Sequence, residues 1–434
     1  MSVVDAFREA TAAHQRCFWL DGGGAREWSG QRSLIGVLEP DDVSLTYSAA
    51  TGEVTRHVDG ESEVVGSDVF AVLEDELALG SHRDQWFGYF GYASRPDLPA
   101  LAAPGGVPDA VWMRPSHVRL FDHGLPRRNS PFPAGVPSGQ GQFHRVPGET
   151  APPADYAQAF AEVQEQLHAG NSYEVNLTYR LEAESGLDPV AAYLRLHELN
   201  PAPYAGFLQH DVGPADGGAR SWLLSSSPER YALITRDDEG ERTIETKPIK
   251  GTTPRGATSA QDEELRRALA TEPRFRAENL MITDLLRNDL GMVCEAGSVE
   301  VPVLLAVESY PTVHQLVSTV RGRLRPEVGT VGALRALFPA GSMTGAPKLR
   351  TMEVIAEVED SARGPYAGAF GWIAADGRAD LGVIIRTLTT TGDGSYRLGT
   401  GGGITVHSDV ESEYAESRWK AERLLTALSL YDQP

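Results

Sequence analysis

The sequence predicts an α+β or mixed α/β protein, and three features of the 434-residue chain support this prediction. Short apolar runs separated by turn residues fill roughly the first 120 positions, which is typical of strands. Helical and strand-like periodicities alternate from about residue 155 to the C-terminus. A stretch rich in proline, glycine, serine and arginine separates these parts. We therefore predict an N-terminal region over 1–124, a linker over 125–153 and a larger domain over 154–434.

Individual elements follow from the same periodicities. In the N-terminal region, the aromatic and glycine-rich run Trp86–Tyr92 is typical of a tightly packed strand. After the linker, apolar residues recur at spacings of four, three and four between an N-cap at Asp155 and a closing Gly170, which predicts a helix. Apolar and polar residues then alternate from Tyr173 to Leu181, which predicts a half-buried strand.

The composition excludes several kinds of partner. The chain carries 39 basic and 60 acidic residues, a net charge of −21 at pH 7, so we expect no nucleic-acid partner and no membrane partner. An enzyme with this charge that acts on a small anion would need a local cationic pocket, a metal ion or both. Cys17 and Cys294 form neither a disulfide framework nor a Cys-x-x-Cys zinc motif. Because the sequence shows neither a signal-peptide core nor an apolar run of about 20 residues, it predicts a cytoplasmic protein.

Lys250 is the first candidate for chemistry. It lies in the segment Lys247–Gly256, where two prolines and two glycines bracket it. These residues predict a constrained turn rather than the interior of a strand or helix. A lysine on a stiff loop can act as a nucleophile, a general base or an anion clamp, although most lysines are solvated surface charges.

Two acidic motifs are candidates for binding a metal ion. Glu278 lies near the start of the run Ala277–Leu290, a predicted amphipathic helix whose acidic face is either solvated or turned inward. Near the C-terminus, Glu413, Glu416 and Lys420 share one helix face, either as a surface ion pair or as an inward-facing set. Mg²⁺ suits an inward-facing set, because it accepts one or two carboxylates and keeps water and substrate oxygens as its other ligands.

Two glycine-containing motifs are candidate anion sites. In Gly399–Thr405, successive glycines form either a backbone N–H cradle for a carboxylate or a simple hairpin turn. The motif lacks the Lys-Ser/Thr ending of a P-loop. The segment Gly341–Lys348, in which Ser342 is a candidate substrate-binding residue, precedes a predicted helix whose N-terminus either binds an anion or is capped in the ordinary way.

Three single residues are further candidates. Glu229 follows a proline on a predicted turn, where burial would raise its pKa and suit it to act as a general acid. His314 is a candidate catalytic residue, with a hydrogen-bonded core histidine as the alternative. Arg386 lies inside an apolar, strand-like run, and a buried arginine needs an anionic partner such as a substrate carboxylate.

Together and in this order, these motifs resemble the chorismate-utilising enzymes, the family of anthranilate synthase component I. The resemblance is strong over about residues 155–434 and weak over the N-terminal part. It depends above all on the stretches Asp284–Leu290, Gly341–Lys348 and Glu416–Lys420. It implies an α+β fold of two large antiparallel-rich sheets with helices packed outside, in which the N-terminal part is interwoven with the rest.

The resemblance also implies roles for the site residues. Mg²⁺ would bind the ring carboxylate of chorismate, a tyrosine and an arginine would bind the enolpyruvyl carboxylate, and a lysine and a glutamic acid would carry out the chemistry. The predicted metal ligands are Glu278 and Glu416, the predicted substrate-binding residues are Ser342, Tyr366, Arg386, Gly401, Gly402, Gly403 and Lys420, and the predicted catalytic residues are Lys250, Glu229 and His314. A nucleophilic lysine must be neutral, and a free pKa of about 10.4 leaves only roughly one molecule in a thousand neutral at pH 7. We expect burial beside other cations to depress that pKa.

Lys250 also distinguishes branches of the family, because anthranilate synthases typically have Pro-Ile-Ala-Gly-Thr at this place. The resemblance implies amination of chorismate to 4-amino-4-deoxychorismate on the p-aminobenzoate and folate route, through a covalent Lys250 adduct. The alternatives are anthranilate synthase component I activity and a non-catalytic partner of an amidotransferase. Neither Cys17 nor Cys294 lies in a Gly-x-Cys-x-Gly elbow. The resemblance implies that a separate glutamine amidotransferase subunit supplies the ammonia, or that the protein uses free ammonia. Glu174 departs from the glutamine that such relatives often carry there.

Overall fold

The computed structural model of the protein describes residues 1–22, 32–102, 104–123, 151–213, 218–310 and 313–429. The predicted linker lies outside these residues except for its last three positions. Within the described ranges, no helix combines the length and the apolar character that a membrane span requires.

Helices and strands are spread over the whole described chain. The helices are α1 (Val3–Ala13), α2 (Val69–Leu79), α3 (Ala154–His168), α4 (Pro189–Leu199), α5 (Ser259–Thr271), α6 (Pro273–Gly291), α7 (Thr330–Leu337), α8 (Lys348–Val358) and α9 (Val410–Leu428). The strands are β1 (Arg16–Asp21), β2 (Arg32–Val37), β3 (Val43–Ser48), β4 (Glu53–Val58), β5 (Glu61–Gly66), β6 (Gln85–Phe90), β7 (Ala110–Arg114), β8 (His117–Asp122), β9 (Glu174–Glu184), β10 (Tyr204–Val212), β11 (Ala219–Ser227), β12 (Arg230–Arg236), β13 (Arg242–Lys247), β14 (Ile249–Pro254), β15 (Glu300–Ser309), β16 (Val313–Arg323), β17 (Gly345–Ala346), β18 (Ala369–Ala374), β19 (Ala379–Val383), β20 (Thr387–Thr390) and β21 (Ser395–Ile404).

The described strands form two antiparallel sheets. The first sheet has nine strands in the order β17-β9-β21-β20-β11-β10-β1-β2-β8. The second has twelve: eleven follow the order β14-β16-β13-β12-β19-β18-β6-β7-β3-β4-β5, and β15 pairs with β16 beside this path. Strands β1, β2 and β8 of the N-terminal region join the first sheet, and β3 to β7 join the second. The N-terminal part is therefore interwoven with the rest of the chain, as the resemblance implies.

The two sheets pack face to face, and helices cover their outer faces. Between the sheets, apolar side chains of β1, β10 and β11 meet those of β6, β7 and β18. The rings of Phe18 and Phe87 stack there with their centroids 4.1 Å apart. Helices α1, α4 and α9 pack on the first sheet, and α2, α6 and α7 pack on the second. This layering confirms the predicted α+β architecture.

The predicted elements form with small shifts at their ends. The aromatic and glycine-rich run contains strand β6, whose side chains from Trp86 to Phe90 are all buried. The predicted helix is α3, which begins at Ala154, so Asp155 is not its N-cap. The Asp155 carboxylate lies in the first turn instead, where it accepts the N–H of Tyr156 at 2.8 Å. The predicted strand is β9, which begins one residue later than expected and extends further.

Glu359 follows α8 and forms a buried charge network with β9. Its carboxylate accepts hydrogen bonds from Arg180 at 2.7 Å, from Arg363 at 2.7 and 3.0 Å, and from the hydroxyl of Thr178 at 2.7 Å. The three charged side chains are at most 5% exposed. Burial raises the pKa of Glu359, but the two guanidinium groups outweigh this effect and hold the pKa below its usual value. Arg363 also donates to the backbone oxygen of Met343 at 2.7 Å, so the network fixes the loop before β17.

We expect Glu359→Gln to lower the free energy of unfolding by about 3–5 kcal/mol, because two buried guanidinium groups would lose their carboxylate. Urea unfolding of the parent and the variant measures this loss. The matched control is Glu300→Gln, which breaks an ion pair with Arg321 whose side chains are roughly half exposed. The control should lose at most about 1 kcal/mol. Equal losses in the two variants would contradict the structural role of the network.

Candidate active site

A cavity of about 470 Å³ lies where β9, β14, β21, α6 and α9 meet. Its wall combines strands of both sheets with the ends of loops and with two outer helices. The predicted site residues in this wall are Glu229, Lys250, Glu278, Ser342, Tyr366, Arg386, Gly401, Gly402, Gly403, Glu416 and Lys420. Of the predicted site residues, His314 is the one that the structure does not bring to this wall.

A strand irregularity positions Lys250. The prediction of a turn is wrong, because Ile249–Pro254 forms β14, which pairs with β16. Ile249 lies opposite Val317 and Thr252 lies opposite Gln315, so β14 contains one residue more than its partner between these pairs. Gly251 takes a φ of +87° in this bulge, a conformation that other residues rarely adopt. The bulge interrupts the ladder at Lys250 and re-aims its side chain into the cavity.

Lys250 is paired with Glu174, the first residue of β9. Its ammonium group donates a hydrogen bond to Glu174 Oε1, and the two side chains are 11% and 1% exposed. Burial lowers the pKa of Lys250, but the charges of Glu174 and Glu278 outweigh burial and raise that pKa above its usual value. The expected depression by neighbouring cations is therefore wrong for this structure, because the nearest charged neighbours are carboxylates.

An arginine that sequence reasoning missed joins the two acidic motifs. Arg274, in the first turn of α6, donates to Glu278 Oε1 at 2.9 Å and also to Glu413 of α9. On the same face of α9, Lys420 lies 3.0 Å from Glu416 Oε1 and donates to the backbone oxygen of Gly401 at 2.9 Å. Both acidic helix faces thus turn towards the cavity. The signal for Arg274 was its position four residues before Glu278, the spacing of a helical ion pair.

The donor set of this region fits a hard cation. Among the described residues, no group of three or more histidine, cysteine, aspartate and glutamate side chains is arranged as a metal centre. Mg²⁺ needs only one or two carboxylates, however, and takes its other ligands from water and substrate. Glu278 and Glu416 both lie in the cavity wall, and Glu278 already shares one cationic group, Arg274, with Glu413. These residues could therefore hold Mg²⁺.

The glycine run belongs to a strand rather than to a hairpin turn. Gly399–Thr405 lies mostly within β21, where Gly401 pairs with Thr178 of β9. A Cβ atom at Gly402 would lie 3.2 Å from Glu413 Oε2 and 3.7 Å from Lys420 Nζ. The glycine at this position thus leaves room for the charged groups of α9.

Arg386 lies in a connection and not within a strand as predicted. It connects β19 to β20 and takes a φ of +49°, a left-handed conformation that non-glycine residues adopt mainly where the surroundings impose it. Burial and the nearby Arg423 lower the pKa of Arg386 to about 10. Its guanidinium carbon lies 6.0 Å from the ring centroid of Trp419. Tyr366 lines the same cavity, and burial raises its pKa to about 12. An anionic ligand would relieve the unfavourable burial of this arginine.

The remaining predicted catalytic residues differ in their placement. Glu229 is buried in the turn between β11 and β12 and lines the cavity. His314 lies on β16, where its ring nitrogens are 2.7 Å from the hydroxyl of Ser309 and 3.0 Å from Asp262 Oδ1. These contacts are those of the alternative interpretation, a hydrogen-bonded core histidine. The next residue, Gln315, lines the cavity instead, because side chains alternate along a strand.

Comparisons with known proteins find related sequences and a similar fold. A sequence profile of the chorismate binding enzyme family matches residues 15–426. The aminodeoxychorismate synthase of Streptomyces pristinaespiralis is 38% identical to the chain over 95% of this chain and 61% of that protein. The aminodeoxychorismate synthase component 1 of Klebsiella aerogenes is 43% identical over 63% of this chain and 58% of that protein. The crystal structure of anthranilate synthase component I from Streptococcus pneumoniae TIGR4 has a TM-score of 0.71 at 24% identity, covering 91% of this chain and 92% of that one.

These matches differ in what they establish. The chain spans about three fifths of the length of these two curated relatives. The structural match supports the fold, with its two sheets and outer helices. The family profile covers nearly all of the chain, and the chain therefore belongs to the chorismate binding enzyme family.

Proposed function

We propose that this protein converts chorismate and ammonia to 4-amino-4-deoxychorismate. The observation that supports the proposal most is the enclosed amine of Lys250, which lies in one cavity wall with two cations suited to carboxylates, Arg386 and Lys420. The names of the relatives from Streptomyces pristinaespiralis and Klebsiella aerogenes support the same activity.

Substrate binding depends on local charge. Chorismate is a dianion, and a protein with a net charge of −21 repels it at long range. Arg386 would bind one carboxylate, and Tyr366 lines the same cavity. Lys420 uses one donor on Gly401 and one on Glu416, so a third N–H remains for the other carboxylate. Glu278 and Glu416 would hold Mg²⁺, which when bound supplies positive charge to a substrate carboxylate.

The chemistry requires a nucleophile and an acid. The neutral Nζ of Lys250 would form a bond to C2 of chorismate while the ring double bonds shift and the C4–O bond breaks. Glu229 would protonate the departing oxygen, so that water leaves. Ammonia would then bond to C4, the double bonds would shift back, and the C2–N bond would break to return the amine to Lys250. The proton released by the new amino group would restore Glu229.

The ammonia would come from a partner. We propose a separate glutamine amidotransferase subunit, and the word component in the name of the Klebsiella aerogenes relative supports a two-chain arrangement. Among the residues of this chain, the two cysteines have no nucleophile-elbow sequence around them. The product would enter p-aminobenzoate and folate synthesis.

We expect Lys250→Met to reduce chorismate consumption by on the order of 10³-fold or more, because methionine has similar length but no nucleophilic nitrogen. Turnover is measured with purified protein, Mg²⁺ and ammonium, and the products are separated chromatographically. The matched control is Lys247→Met, whose lysine pairs with Glu308 and does not line the cavity. The control should keep most of the activity. Anthranilate as the parent product, or unchanged turnover in Lys250→Met, would refute the proposed reaction.

We expect Glu278→Gln to lower turnover by at least about 10²-fold at a fixed Mg²⁺ concentration, because the site would lose half of its proposed metal-binding charge. Asp284→Asn on the same helix is the matched control, since its side chain is 79% exposed and forms an ion pair with Arg287. Calorimetric titration with Mg²⁺ in the presence of chorismate measures binding directly. Unchanged Mg²⁺ affinity in Glu278→Gln would show that this carboxylate is not a ligand.

A further inference from the structure

Glu174 carries a buried carboxylate that has no role in the reaction steps proposed above. Its side chain is 1% exposed, and its Oε1 accepts the hydrogen bond from Lys250. Its second oxygen, Oε2, is buried and has no hydrogen-bond partner among the described residues. An ionised carboxylate with an unsatisfied buried oxygen is unfavourable, whereas a neutral carboxylic acid is much easier to bury. The surroundings of Glu174 thus make it easier for this carboxylate to take up a proton.

The backbone of β21 confines the contact between the two side chains. A Cβ atom at Gly403 would lie 1.9 Å from Glu174 Oε1 and 3.1 Å from Lys250 Nζ, so any larger residue there would push into the pair. Among the described residues, other charged groups that act on the pair are Glu278 of α6, Glu416 and Lys420 of α9, and Glu229 of the turn before β12. The Lys250 amine must lose a proton before it can react, and the Glu174 carboxylate is the acceptor that touches it.

We propose that Glu174 takes the proton of the Lys250 ammonium group and so produces the nucleophilic amine, an inference that rests on the function proposed above. The N–H bond of the ammonium breaks and an O–H bond forms on the carboxylate, which leaves an uncharged amine and an uncharged acid. After the substrate has left Lys250, the same proton returns to the amine. Glu174 is thus a positioning and proton-holding residue, and Glu229 remains the group that protonates the leaving oxygen.

This arrangement has a consequence for the dependence of rate on pH. The reactive pair, an amine and a carboxylic acid, contains the same number of protons as the resting pair, an ammonium and a carboxylate. Its population therefore does not change with pH while the pair keeps its single shared proton. If Glu174 is replaced by glutamine, the proton must leave to solvent, and the population of neutral amine rises about tenfold per pH unit below the pKa of Lys250.

The test compares the parent with Glu174→Gln and Glu174→Asp. Chorismate consumption with Mg²⁺ and ammonium is measured at several values from about pH 6 to about pH 9, a range that brackets the neutral region where a general base must act. Dividing each variant rate by the parent rate at the same pH removes the titration of ammonium and of Glu229, which all three proteins share. We expect the ratio for Glu174→Gln to be on the order of 10⁻² at pH 7 and to rise about tenfold per pH unit. The ratio for Glu174→Asp should stay constant with pH, since aspartate keeps a proton acceptor.

The inference is overturned if the rate ratio for Glu174→Gln does not change with pH, whether the rate itself falls or rises. That result is expected if the ion pair has only a structural role. Thermal unfolding followed by circular dichroism ensures that all rates refer to folded protein. A second readout needs neither chorismate nor a variant: the rate at which acetic anhydride acetylates Lys250 in the parent, measured by peptide mass spectrometry. A rate independent of pH supports the inference, and a rate that rises tenfold per unit overturns it. A parent that consumes no chorismate would instead refute the proposed function.

Discussion

The burial of one ammonium group against one carboxylate is the constraint on which the site depends. Lys250 belongs to β14 of the second sheet, and Glu174 belongs to β9 of the first, so their contact exists only when the two sheets are packed together. Burying an ammonium group without a counter-charge costs several kcal/mol of free energy. The pair therefore favours the packing of the two sheets that brings these side chains into contact at this edge. The bulge of β14 and the glycines of β21 provide the space for the pair. In the proposed reaction, the same contact would also hold the Lys250 amine in place for chemistry.

Other charged side chains in the cavity wall also contact groups of opposite charge. Arg274 neutralises two carboxylates of α6 and α9, and Lys420 shares its donors between a carboxylate and the backbone. Arg386 differs, because burial and a neighbouring arginine lower its pKa and its backbone is held in a left-handed conformation. A dianionic substrate would supply the negative charge that this part of the wall needs. An acidic protein can thus bind an anion through charge that is arranged locally.

Several elements of the fold could be predicted from the sequence, and the elements that could not be predicted differ for physical reasons. Periodicity predicted the mixed class, and the helix and strand after the linker, because apolar spacing reports which face of an element is buried. The turn predicted at Lys250 was wrong because the prolines lie at the ends of β14 and Gly251 lets the ladder continue through a bulge. Arg386 was expected in a strand because it lies inside an apolar run. Such a run does not show where the backbone leaves a strand and takes a left-handed conformation. His314 lies on the side of β16 away from the cavity. Because side chains alternate along a strand, a shift of one sequence position changes the side on which a residue lies.

Side-chain partners were the least predictable feature. Glu174 and Lys250 are 76 positions apart, and Arg274 and Glu413 are 139 apart, so no local pattern relates them. The pKa of Lys250 depends on those partners, which is why the expectation drawn from neighbouring cations had the wrong sign. Eleven of the predicted site residues lie in one cavity wall. The resemblance could predict this set because a family pattern includes residues that are distant in sequence, whereas local spacing does not.

The proposed reaction requires Lys250 to form a bond to the ring of chorismate. The most direct measurement is the mass of the Lys250-containing peptide after the protein is mixed with chorismate and Mg²⁺ in the absence of ammonia, then quenched in acid and digested. We expect a peptide heavier by the mass of chorismate minus water, and this heavier peptide should disappear when ammonium is added before the quench. The protein must also be shown to consume chorismate when ammonium is present. If the peptide from this active protein keeps its unmodified mass, the proposed covalent bond is contradicted.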